Sequence, residues 1–87
     1  MDENTIKLLI FDRLCQERKK RGDDGALNVE TLRRELNLPA DAPYGKVLEW
    51  LAVDGVGIYI NASRDTKEVW LGTGGKLACD EGRNPFR

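Results

Sequence analysis

The stretch that decides the fold is residues 27–60, which read LNVETLRRELNLPADAPYGKVLEWLAVDGVGIYI. Its first part predicts a helix over 29–37, because Asn28 is a good N-cap and apolar residues then recur at helical spacing. Its middle part predicts a second helix over 41–54. From residue 56 onward apolar residues alternate with other residues, which is typical of a β-strand. The stretch therefore predicts two helices followed directly by a strand.

A longer helix is predicted upstream, over residues 4–21. Its apolar residues recur at helical spacing and form one face: Ile6, Leu9, Ile10 and Leu14. Cations in the last turn and Gly22 directly after it favour a helix end at that point. Ala26 and Leu27 then predict a short extended piece before the next helix.

A β-hairpin is predicted downstream. Two alternating apolar runs flank a polar turn at 63–67, which is the pattern of two antiparallel strands. If the middle of that turn is the tip of the hairpin, Ile60 pairs with Leu71 and Asn61 pairs with Trp70.

The glycine-rich stretch GTGG at 72–75 ends the predicted sheet. It lacks the Lys-Ser/Thr pair that completes a phosphate-binding loop. Residues 76–87 are mostly polar. We therefore expect one folded domain over 1–75 and a loosely ordered polar C-terminal tail over 76–87.

The overall charge of the chain is close to balanced. Its 87 residues include 14 Lys and Arg against 15 Asp and Glu, for a net charge of -1. This balance gives no global field that would draw the protein onto nucleic acid or an acidic membrane. Any phosphate-binding surface must come from local clusters.

The chain contains two cysteines, Cys15 and Cys79, and no histidine. Two cysteines are too few for a disulfide scaffold or a zinc site, so we expect reduced thiols, no metal and no cofactor. No residue pattern supplies an activated nucleophile or an acid–base pair, so we do not expect an enzyme. The acidic N-terminus and the short apolar runs predict no membrane segment and a cytoplasmic location.

The predicted order of elements is helix, short extended piece, helix, turn, helix and two-stranded hairpin. This order resembles the winged helix-turn-helix domain. The resemblance is carried by a helix that ends in Leu-x-Leu-Pro at 36–39, a helix that ends in LxxLxxDG at 48–55, and the strand that follows. It implies an α+β fold of three helices with a C-terminal two-stranded wing. It also implies a small DNA-binding regulator of the bacterial or phage type.

In DNA-binding members of that fold the third helix lies in the major groove. The resemblance therefore implies that residues 41–54 form the reading helix, with helix two and the wing touching phosphates. The residues that would contact DNA are Arg33, Arg34, Tyr44, Lys46, Arg64 and Lys67.

A second hypothesis is that the module binds another protein, or its own copy as a homodimer, and does not bind DNA. The predicted reading helix has one basic residue, Lys46, and no Arg, Asn or Gln, which are the side chains that read bases. Three aromatic residues near it would form an interaction patch if they were exposed together: Trp50, Tyr59 and Trp70.

Overall fold

The computed structural model of the chain describes residues 3–22, 25–37, 59–63 and 65–87. Over these residues the fold is α+β, with three helices and a three-stranded antiparallel sheet. In chain order the elements are α1 (Glu3–Arg21), β1 (Leu27–Asn28), α2 (Val29–Glu35), β2 (Ile60–Ser63), β3 (Glu68–Leu71) and α3 (Thr73–Asp80). The predicted reading helix, 41–54, lies outside the described residues.

Strand β3 is the central strand of the sheet, with β1 on one side and β2 on the other. In the hairpin, Ile60 pairs with Leu71 and Asn61 pairs with Trp70, which confirms the predicted register. The short piece before α2 is also confirmed as a strand, since Leu27 pairs with Val69.

One apolar cluster joins all six described elements. Its buried members are Ile6, Ile10, Phe11, Leu14, Leu27, Val29, Leu32, Ile60, Val69, Leu71, Ala78 and Cys79. The inner face predicted for α1 is mostly confirmed, although Leu9 is only half-buried. The helix ends as predicted, because Gly22 adopts the left-handed conformation with φ 68°.

The predicted domain boundary at residue 75 falls inside a helix, because α3 follows the hairpin directly. The GTGG stretch does not only end the sheet: it starts this helix, with Gly72 at the N-cap position. Ala78 and Cys79 of α3 are buried in the core. Gly75 makes this packing possible, because a Cβ there would overlap the carbonyl oxygen of Tyr59.

Residues 81–87 continue along α1, so 76–87 do not form the loose tail that their polar composition predicts. The amide of Asn84 donates to the backbone oxygen of Leu8 and to Oδ1 of Asp12, both at 3.0 Å. The ring of Phe86 packs edge-on against Phe11, with centroids 6.1 Å apart. These two hydrogen bonds and the ring contact hold the segment against α1.

The two cysteines are not separate reduced thiols, as their number led us to expect. The structure joins Cys15 of α1 and Cys79 of α3 in a disulfide, with Cα atoms 5.7 Å apart. Beside it, the guanidinium of Arg18 donates to both carboxylate oxygens of Asp80, at 3.2 and 3.1 Å. The C-terminal helix is thus tied to α1 covalently and by an ion pair.

Helices α1 and α2 are linked by one arginine. The guanidinium of Arg13 donates to Glu35 at 2.7 Å and to Glu17 at 2.9 Å. The side chain of Glu17 is only 8% exposed and also accepts from Arg21. The hydrogen bond from Arg13 holds the pKa of Glu17 below its ordinary value of 4.5, because it favours the charged form.

No helix in the described parts of the chain is long and apolar enough to cross a membrane.

Replacing Gly75 by alanine tests the packing of α3. We expect Gly75→Ala to lower the free energy of unfolding by about 2 kcal/mol, because the new methyl group has no room beside the Tyr59 carbonyl. Thr73→Ala, an exposed position of the same helix, should change it by less than about 0.5 kcal/mol. Urea denaturation measures both. Wild-type stability of the Gly75 variant would contradict the packing described.

Glu17→Gln tests the charge network of α1. Since folding lowers the pKa of Glu17, its contribution to stability is complete above about pH 4.5 and is lost as pH falls through the lower folded value. The variant should be less stable than wild type at about pH 7. The difference in their free energies of unfolding should be smaller at about pH 3. Denaturation at both pH values measures this, with Glu81→Gln on the surface as the control. A gap of the same size at both pH values would contradict it.

Candidate nucleic-acid interface

Helix α2 presents two of the predicted phosphate contacts, Arg33 and Arg34. The helix begins at Asn28, whose side-chain oxygen accepts the backbone N–H of Glu30 at 2.8 Å and of Thr31 at 3.4 Å, as predicted for an N-cap. Val29 and Leu32 point into the core. Since residues three to four apart share a face, this leaves Arg34 exposed and Arg33 at the edge of the buried side.

The hairpin turn lies against the start of α2. Its last residue, Lys67, is exposed and adopts a left-handed conformation with φ 56°. The backbone oxygen of Lys67 accepts the N–H of Val29 at 2.9 Å. This bond satisfies one of the free N–H groups at the helix start and fixes the turn beside it. Lys67 and Arg33, one helical turn beyond Val29, therefore lie on adjoining elements.

Carboxylates offset much of the charge on this surface. Arg33 donates to Glu30 at 3.1 Å, Asp65 lies within the turn and Glu68 directly follows it. Arg34 and Lys67 make no ion pair with any residue that the structure describes. The surface can therefore contact phosphates through individual side chains, but it does not create a broad positive field.

Four of the predicted site residues lie outside the described ranges: Tyr44, Lys46, Trp50 and Arg64. Of the predicted DNA-contact set, the structure places Arg33 and Arg34 on α2 and Lys67 in the adjoining hairpin turn.

The two described aromatics of the predicted protein-binding set are both half-buried. The ring of Tyr59 packs edge-on against Phe86, with centroids 6.0 Å apart. Trp70 borders a shallow cleft beside Leu14 and Arg18 of α1. Tyr59 thus packs against the core, and the partial burial of both rings reduces the apolar surface open to a partner.

Other charged residues are used within the fold. Arg18 and Arg21, from the basic run that ends α1, pair with Asp80 and Glu17, whereas Lys19 and Lys20 are exposed. Within the described ranges no group of three or more His, Cys, Asp or Glu residues is placed to hold a metal ion.

Sequence reasoning missed a second charged region, a cleft between α1 and the C-terminal segment. Asp12, Cys15 and Lys19 line one side, and Cys79, Arg83 and Arg87 line the other. The sequence offered only a short apolar run, Leu77, Ala78 and Cys79, of which the structure buries Ala78 and Cys79 and exposes Leu77.

The turn conformation at Lys67 can be tested by comparing two variants that carry the same charge. Lys67→Gly and Lys67→Val remove the same charge, but only glycine adopts a positive φ without steric cost. We expect the valine variant to be about 1–2 kcal/mol less stable than the glycine variant. Urea denaturation of the pair measures the difference. Equal stabilities would show that the turn does not hold this conformation in solution.

Comparison with protein-family models, with curated proteins and with solved structures finds no match to this chain. What the chain binds therefore has to be inferred from its own residues and contacts.

Proposed function

We propose that the chain is a small winged helix-turn-helix module that binds double-stranded DNA and acts as a transcription regulator, with the predicted reading helix in the major groove. The observation that carries the proposal is the hydrogen bond from the N–H of Val29 to the backbone oxygen of Lys67. It holds the hairpin turn beside α2, so the two elements that would touch phosphates form one surface.

The order of the described elements also supports this proposal. Helix, short strand, helix and then hairpin follow the order that the sequence resemblance implies, and β1 pairs with the hairpin through β3. Helix α3 is an addition to that order. It packs against α1 and β3, so it extends the core without joining the α2 surface.

The role of the described cations is to position the duplex. Arg33, Arg34 and Lys67 would neutralise phosphates, and such contacts carry no base information. Because three carboxylates lie among them, we expect weak binding that depends strongly on salt. A single module makes few contacts, so a homodimer on two half-sites would account best for specific binding. The proposal places the protein in the cytoplasm with the DNA.

The alternative, a module that binds only protein, receives less support from the described residues. It requires exposed aromatic side chains, and both Tyr59 and Trp70 are half-buried against other parts of the fold. The exposed large apolar residue in the described ranges is Leu77 on α3, on a different element from the predicted patch.

The double variant Arg33→Ala/Arg34→Ala tests the proposal. We expect wild type to bind labelled random-sequence duplex DNA more tightly at about 50 mM than at about 200 mM salt. Loss of two phosphate contacts should weaken binding to all sequences alike and flatten the slope of log K against log salt by about 1 to 2. Fluorescence anisotropy measures both quantities.

The matched control is Lys19→Ala/Lys20→Ala, which removes two exposed charges from the end of α1. This control should reduce the salt slope less than the α2 variant does. A slope unchanged by the α2 variant would exclude those arginines from the interface. No binding by wild type at the lower salt would reject DNA as the partner.

A further inference from the structure

The cleft between α1 and the C-terminal segment contains both cysteines. Cys15 and Cys79 lie in its lining, so the disulfide borders a surface opening as well as the core. Cys15 is half-buried, whereas Cys79 is 6% exposed. Of the two cysteines, Cys15 is therefore the more exposed to a small molecule in the cleft.

Three cations and one carboxylate, Asp12, line the same cleft as this disulfide. Lys19 follows Cys15 by one helical turn, Arg83 follows Cys79 by four residues, and Arg87 completes the set. Lys19 makes no ion pair with a described residue. The other two cations have surface partners: Arg87 donates to Asp12 at 3.3 Å and Arg83 to Glu81 at 2.6 Å.

These surface pairs leave the cations able to bind a ligand. All four side chains are at least 41% exposed, and exposed ion pairs of this kind contribute little free energy. Arg83 and Arg87 can exchange their carboxylates for those of a bound molecule, and Lys19 has no carboxylate partner among the described residues. The cleft thus suits a small ligand with one or more carboxylates.

We infer that the Cys15–Cys79 disulfide is a thiol-exchange site that reacts with small anionic thiols bound in this cleft. This inference rests on the cytoplasmic location in the proposed function, because a cytoplasmic disulfide is usually transient and serves redox sensing. Cations beside a cysteine favour the thiolate form, which is both the attacking and the leaving species in exchange.

The exchange proceeds in two balanced steps. The thiolate of the ligand attacks Sγ of Cys15, the Cys15–Cys79 bond breaks, and Cys79 leaves as a thiolate that takes a proton from water. A second thiol then attacks the ligand sulfur of the mixed disulfide and releases Cys15. Two thiols are oxidised to one disulfide, and the protein disulfide is reduced to two thiols.

The test compares an anionic and a cationic thiol on the oxidised full-length chain. Glutathione and cysteamine are the probes, and acid quenching followed by alkylation and mass measurement gives each rate constant. The ratio of the two rate constants cancels changes in how exposed the disulfide is. We expect Lys19→Gln to lower the glutathione-to-cysteamine ratio by about threefold, and Lys19→Gln/Arg83→Gln by about tenfold. Added salt should lower the wild-type ratio in the same direction.

Lys20→Gln is the matched control, because Lys20 is adjacent, exposed and outside the cleft lining. The glutathione-to-cysteamine ratio of this variant should equal that of wild type. In both proteins the mixed disulfide should form on Cys15. The inference is overturned if Lys19→Gln and Lys20→Gln give the same ratio. It is also overturned if both cysteines of the chain treated with oxidised glutathione alkylate as free thiols.

Discussion

The pairing of strand β3 with both of its neighbours is the constraint on which the rest of the structure depends. Through Val69, β3 meets Leu27 on one side and Ala62 on the other. The first pairing places the start of α2 beside the hairpin turn, where the Lys67 carbonyl accepts the N–H of Val29. The second completes the hairpin. Because Val69 is fully buried, the core and the α2 surface are fixed by the same strand.

Much of this fold could be predicted because its signals are local. The N-cap at Asn28, the stop at Gly22 and the alternation around Val69 each depend on residues close in the chain, and the structure confirms them. Helix α3 could not be predicted in this way. A glycine-rich stretch usually ends regular structure, and the reason for Gly75 is a carbonyl oxygen sixteen residues upstream, at Tyr59.

The candidate sites show the same division. Residue type and the order of elements selected Arg33 and Arg34 on α2 and Lys67 on the hairpin turn, and the structure places these two elements side by side. They could not show that the carboxylate of Glu30 pairs with Arg33 and offsets its charge. The cleft around the disulfide was missed because Cys15 and Cys79 are 64 residues apart in sequence. Two cysteines in a short chain predict no pairing when their separation in space is unknown.

The central claim is that α2 and the hairpin turn form one DNA-binding surface. Amide NMR of the labelled protein, titrated with duplex DNA at low salt, tests it most directly. The account predicts that the amides of 28–34 and 65–68 shift together with one dissociation constant, while those of 77–87 stay in place. Shifts confined to the C-terminal segment, or separate dissociation constants for the two groups, would contradict it.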